Sequence, residues 1–74
     1  MPTFADLQVQ HQFDLASLAT DAGVPANTIH MMLSGQAVSP QDARHVLQMA
    51  SRMASEHWTF ENTDIALIDE AKDE

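Results

Sequence analysis

The side chains that most often do covalent or metal chemistry are few in this chain and are not arranged to cooperate. The absence of cysteine excludes thiol catalysis, disulfides and thiolate zinc sites. Asp42 precedes His45 by three residues, and we interpret this single helical neighbour pair as a surface contact. The histidines show no i, i+4 pair and no second ligand at metal spacing: His11, His30, His45 and His57. The sequence therefore predicts neither an enzyme nor a metal or cofactor site.

Two short amphipathic helices are expected to position the remaining polar candidates. The first apolar stripe recurs at i, i+3, i+4 and i+7 and stops at Gly23: Leu15, Leu18, Ala19 and Ala22. A second stripe repeats at helical spacing after the glycine: Ile29, Met32 and Leu33. Val24 can close the corner between the helices, and Ala19 is expected where they cross.

Each of four predicted helices has a start signal. The helices cover about residues 4–11, 15–22, 26–34 and 40–54. Their start signals are Thr3, Asp14, Pro25 and the Ser39-Pro40 pair, and Gly35 is expected to end the third helix. The first helix is expected to place Phe4, Leu7 and His11 on one face. The apolar face of the fourth is Ala43, Val46, Leu47, Ala50 and Met53.

The stretch from Phe13 to Met53 resembles the helix-turn-helix of the Cro/C1-type repressor family. The matching residues are Leu18, Ala19, Gly23, Val24, Thr28 and Ile29, followed by Leu33-Ser34-Gly35 and then Ser39-Pro40. The resemblance implies a mainly α, small four- to five-helix lambda repressor-like DNA-binding domain. It also implies that the third helix enters the major groove of double-stranded DNA as part of a dimer.

On this resemblance, the exposed side of the third helix reads bases. Asn27 is the best candidate reader, because its amide can donate to and accept from the edge of adenine. Ala26 would contact a thymine methyl group, Thr28 a phosphate or a base, and a protonated His30 a phosphate. The whole candidate DNA-binding set is Ala26, Asn27, Thr28, His30, Met31, Gln36, Gln41 and Arg44.

Net charge keeps a second function open. The chain has three basic and eleven acidic residues, and its formal net charge is −8. Residues 56–74 carry seven acids and one lysine, so residues 1–55 have a net charge of only −2. A nearly neutral reading region permits DNA binding without favouring it, since DNA is a polyanion. The alternative is an acidic helix-turn-helix that acts as a protein–protein interaction module without DNA binding.

The C-terminal segment has two interpretations. Thr59 to Asn62 resembles a capped turn, and the following residues fit either a helix or a short strand, with the strand slightly favoured. Its apolar residues exceed what a tail needs and are expected to form a homodimer interface: Trp58, Phe60, Ile65, Leu67 and Ile68. We therefore expect a helix-turn-helix domain over residues 1–56, and a dimerisation segment with an acidic tail over 57–74.

Length and hydropathy complete the sequence-based expectations. At 74 residues the chain is near the lower limit for one hydrophobic core, so self-association would add useful buried area. The first residues lack a basic stretch followed by an apolar core, and no apolar run approaches membrane-spanning length. A soluble, cytoplasmic protein with no membrane partner is expected.

Overall fold

The computed structural model describes residues 1–68 and is mainly helical. Its four helices are α1 (Phe4–His11), α2 (Leu15–Ala22), α3 (Ala26–Leu33) and α4 (Pro40–Ala54), and no sheet occurs in this range. The mainly α class and all four predicted helices are confirmed, with α3 ending one residue earlier than expected. The lambda repressor-like arrangement itself stays a prediction.

Local hydrogen bonds explain where the helices begin. The Thr3 hydroxyl accepts from the Asp6 backbone N–H at 3.1 Å, and the Asp6 carboxylate accepts from the Thr3 N–H at 3.0 Å. This reciprocal capping box satisfies two backbone donors at the start of α1. Asp14 caps α2 through the Ser17 N–H at 3.4 Å, and Ser39 caps α4 in the same way.

One apolar core joins the helices, since α2 packs against both α3 and α4, and α1 packs against α3. Its largest fully buried apolar side chains are Phe4, Leu7, Leu18, Ile29, Val46 and Leu47. One expectation is wrong at the end of a helix. Met53 is 40% exposed, because it lies in the last turn of α4 beyond the core. His11 is exposed at the end of α1 and stacks on Phe13 with ring centroids 5.6 Å apart.

The turn between α2 and α3 uses a left-handed glycine. Gly23 has φ +75° and ψ +32°, a backbone conformation that residues with a Cβ rarely adopt. The N–H groups of Gly23 and Val24 both donate to the carbonyl of Ala19 at 3.0 Å. Val24 is buried at 7% exposure, as the sequence predicts for the residue at this corner. The turn thereby fixes the direction in which α3 leaves α2.

After α4 the chain returns across the domain in a turn and an extended segment. Thr59 N–H donates to the Asn62 side chain at 2.8 Å, which confirms the capped turn. Asp64 N–H then donates to the Pro2 carbonyl, and Ile68 N–H to the Val38 carbonyl, both at 2.8 Å. The helical alternative is wrong as far as residue 68, and the strand exists only as isolated parallel bridges to residues 3 and 38.

Residues 55–68, which we call the return segment, belong to the same core as the helices. Thr63 is 1% exposed, and Trp58, Phe60, Ile65 and Leu67 are partly buried against the core residues. The proposed division at residue 56 is therefore not visible as a gap in packing. Of the predicted acidic tail, residues 69–74 lie outside the described residues. None of the helices over 1–68 combines the length and apolar composition needed to cross a bilayer.

Ala19→Leu tests how α2 packs in this fold. Ala19 is 5% exposed on the buried side of α2, so a larger side chain should destabilise the protein by about 1–3 kcal/mol through overpacking. Thermal and urea unfolding would measure the loss. Ala16→Leu is the matched control, because Ala16 lies on the exposed side of the same helix. Equal stability of the two variants would contradict close packing at Ala19.

Candidate nucleic-acid interface

The fold gives α3 a buried inner side and a polar outer side. Thr28, Ile29 and Met32 are buried, and they hold the helix against the core. The exposed residues are Ala26, Asn27 and His30, and we call these three the α3 outer face. Met31 is partly buried at the edge of this face. The structure thus brings together the main residues that the sequence assigns to base reading.

Thr28 does not share this face. Its exposed fraction is 9%, and its backbone N–H donates to the Pro25 carbonyl at 3.0 Å in the first turn of the helix. Thr28 lies four residues before Met32, so it extends the buried stripe of α3 by one turn. The expected contact of Thr28 with a base or a phosphate is therefore wrong, and Thr28 is not part of the candidate interface.

The start of α3 differs from the starts of the other helices. Pro25 is its N-cap residue, and no side chain accepts a hydrogen bond from the first turn. The backbone N–H groups of Ala26 and Asn27 lie in the first turn, where the helix offers them no carbonyl acceptor. They also lie at the positive end of the helix dipole. Amides in this position are able to bind a phosphate without a cation.

The side chain of Asn27 is held only weakly. Its Nδ2 donates to the sulfur of Met31 at 3.6 Å, one turn further along the exposed edge. A thioether is a weak acceptor, so exchanging this contact for a base edge costs little. The Met31 sulfur keeps the amide close to the helix surface while Asn27 stays exposed.

The residues that follow α3 form a small polar cluster at its C-terminal end. Ser34 donates through its hydroxyl to the Met31 carbonyl at 3.1 Å, and Gln36 donates from Nε2 to the Ser34 hydroxyl at 2.9 Å. The backbone N–H of Gln36 donates to the same Met31 carbonyl at 2.9 Å. Gln41 is exposed in the first turn of α4. Gln36 and Gln41 are therefore accessible, as their assignment to a DNA contact requires.

Arg44 belongs to a different surface. Its guanidinium carbon lies 5.7 Å from the centre of the Phe60 ring, in a cation–π arrangement. Arg44 and Arg52 both line a groove formed by α4 and residues 55–61, which we call the arginine groove. The structure therefore groups Arg44 with the return segment and not with the residues of the α3 outer face.

The predicted dimer residues are largely used within one chain. Trp58 meets the rings of His11 and Phe13 edge-on, at centroid distances of 5.1 and 6.1 Å. Ile65 and Leu67 are partly buried against the core, whereas Ile68 is 47% exposed. Sequence analysis missed the contacts of Arg44 and Trp58, because the partners lie 16 and more residues away in the chain. The only feature of the sequence that pointed to these contacts was the small number of aromatic residues, three phenylalanines and one tryptophan.

Comparison with known proteins adds no relative to this description. No family model, curated protein or solved structure matches the chain. The candidate interface therefore rests on its own geometry. That geometry consists of an exposed amide, an exposed imidazole and a helix start without a side-chain cap, all on one short helix.

Proposed function

We propose that this protein is a small helix-turn-helix regulator that binds operator DNA as a dimer through the α3 outer face. The observation that carries the proposal is the position of Asn27 and His30 on the exposed side of a helix whose other side is buried. The left-handed turn at Gly23 and the uncapped start of α3 support it. A cytoplasmic location is part of the same proposal.

The roles follow from the chemistry of each group. Asn27 pairs with an adenine through two hydrogen bonds, and Ala26 leaves room for a thymine methyl group beside it. The first amides of α3 and an imidazole N–H of His30 donate to phosphates, and Gln36 and Gln41 extend the phosphate contacts on either side. Met31 contributes an apolar edge. Arg44 is not part of this set, because its guanidinium lies against Phe60.

The dimer contact is proposed on the outer edge of the extended segment. Ile68 and Asp64 donate their backbone N–H groups inward to Val38 and Pro2, and Ala66 accepts from Val38 N–H. Successive residues of an extended chain direct their backbone groups to opposite edges, so those of Ile65 and Leu67 point outward. No backbone hydrogen bond among residues 1–68 uses them. A second copy can pair along this edge about a two-fold axis.

A protein-interaction module without DNA binding is the second candidate. The observation that favours it is the placement of both arginines of residues 1–68 in the arginine groove, leaving the α3 outer face without a permanent positive charge. In that role Met31 and Asn27 would contact a protein partner. Selection of duplexes from a random DNA pool at low salt separates the two candidates, since only the first predicts an enriched sequence.

Asn27→Ala should erase sequence preference and leave the fold intact. Loss of a bidentate contact to adenine costs about 1–3 kcal/mol at that base pair, and non-specific binding should change little. Fluorescence anisotropy with the selected duplex and a scrambled duplex would measure both affinities. Gln10→Ala is the control, an exposed amide on α1 outside the α3 outer face. Equal losses on both duplexes would contradict base reading by Asn27.

DNA binding should depend only weakly on salt. A dimer of this chain has few cations available for phosphates, so the slope of log K against log salt should correspond to about four or fewer released ions. Truncation after Ile68 removes four acids and one lysine and should strengthen non-specific binding by reducing repulsion. If neither protein shifts a duplex at low salt while both remain folded, the interaction module becomes the better account.

Ile68→Glu should weaken the dimer. The introduced carboxylate lies beside the pairing edge and loses its water when two subunits associate. This cost should raise the dissociation constant of the dimer about tenfold. Sedimentation equilibrium at several concentrations would measure this change. Val9→Glu is the matched control, because Val9 is 76% exposed on α1 and lies far from residue 68 in the sequence. A wild-type protein that remains monomeric at high concentration would overturn the proposed interface.

A further inference from the structure

The arginine groove has the size of a small-molecule site. It runs between the exposed side of α4 and the returning residues 55–61, and its volume is about 830 Å³. Clefts that bind small organic ligands commonly have volumes of a few hundred to about 1,000 Å³. None of the residues assigned to the α3 outer face lines it. The groove is therefore separate from the surface proposed to read DNA.

Hydrogen bonds hold the two walls of the groove in place. The backbone N–H of Trp58 donates to the Ser51 hydroxyl at 2.9 Å, and the N–H of Glu56 donates to the Ser51 carbonyl at 2.9 Å. Asn62 donates from Nδ2 to the His57 carbonyl at 2.9 Å. A return loop tied to Ser51 of α4 by two hydrogen bonds, and closed by one of its own, loses little further entropy when a ligand binds.

The lining of the groove combines aromatic rings with positively charged side chains. Trp58 and Phe60 are its aromatic lining, and the ring of Trp58 also makes edge-on contacts with the rings of Phe13 and His11. Arg44 and Arg52 are the only lysine or arginine residues within 1–68, and both line this groove. In a chain of net charge −8, these two guanidinium groups are the arginine and lysine side chains of residues 1–68 that an anion can contact.

Two glutamates offset the positive charge of the arginine groove and so limit how negatively charged its ligand can be. Glu56 and Glu61 also belong to its lining, so the formal charges of acids and arginines there balance. A monoanion gains from the planar guanidinium donors while meeting less repulsion than a phosphate dianion would. A flat apolar body suits the exposed parts of Trp58 and Phe60.

We propose that the arginine groove binds a small planar aromatic carboxylate. Its carboxylate accepts hydrogen bonds from the guanidinium group of Arg44 or of Arg52, which lie eight residues apart on α4, and its ring packs against Trp58 and Phe60. This ligand site is independent of the proposed DNA contact, since it uses no residue of the α3 outer face. A DNA-free binding measurement therefore tests it without reference to any regulatory role.

Nuclear magnetic resonance titration of the ¹⁵N-labelled full chain provides the test. The probes are 1-naphthoate and 1-naphthamide, which are nearly isosteric and differ in charge. Trp58 is the only tryptophan, so the single indole N–H resonance reports directly on the groove. We expect naphthoate to shift this resonance and the amides of residues 56–61. Naphthamide should bind about two- to fivefold more weakly, because it lacks the negative charge that pairs with a guanidinium group.

Charge-removing variants identify the responsible groups. At least one of the variants Arg44→Gln and Arg52→Gln should weaken naphthoate binding about two- to fivefold and leave the affinity for naphthamide unchanged. His45→Gln is the control, because His45 neighbours Arg44 on α4 but is not among the residues that line the groove. Unchanged naphthoate affinity in both arginine variants would overturn the assignment of the carboxylate to these residues.

Three further outcomes would also overturn the proposal. Equal binding of naphthoate and naphthamide would make the groove a merely apolar surface. Naphthoate binding that appears only after truncation at Ile68 would indicate that the chain's own acidic residues 69–74 are the occupant, and not a separate small molecule. Shifts confined to α1 or α3 would place the probe outside the groove.

Discussion

The direction of α3 depends on the left-handed turn at Gly23. Two successive N–H groups, those of Gly23 and Val24, donate to the carbonyl of Ala19, and the turn can satisfy both only with a positive φ at the glycine. Val24 then enters the core, and α3 must cross α2 with Thr28, Ile29 and Met32 facing inward. Exposure of Asn27 and His30 is the geometric consequence of this arrangement.

Elements specified by neighbouring residues could be predicted from the sequence. Thr3, Asp14 and Ser39 cap helices within three residues of themselves, and apolar periodicity marks the inner sides of the helices. Two assignments failed where distant packing decides the outcome. Thr28 is polar but is covered by the core, and Met53 follows the apolar pattern but extends past it. Residues 64–68 were open to two interpretations, because their hydrogen-bond partners, Pro2 and Val38, cannot be identified from periodicity.

The candidate site was predictable only in part for the same reason. Asn27 and His30 lie on one helix, so their spacing places them on a common face. Arg44 was assigned to DNA from its position early in α4, but the return segment places Phe60 beneath its guanidinium. Within residues 1–68, both arginines line a groove that also contains aromatic rings, on a surface separate from the α3 outer face. The ligands that we propose for the two surfaces differ accordingly, a base edge on one and an organic anion on the other.

Chemical-shift mapping with duplex DNA tests the central claim most directly, that the α3 outer face is a binding surface for DNA. The ¹⁵N-labelled full chain would be titrated at low salt with a duplex enriched from a random pool. The account predicts shifts at the amides of Ala26, Asn27 and His30, extending to Gln36 and Gln41, with residues 56–61 unchanged. Shifts confined to the arginine groove, or none at all with a folded protein, would contradict it.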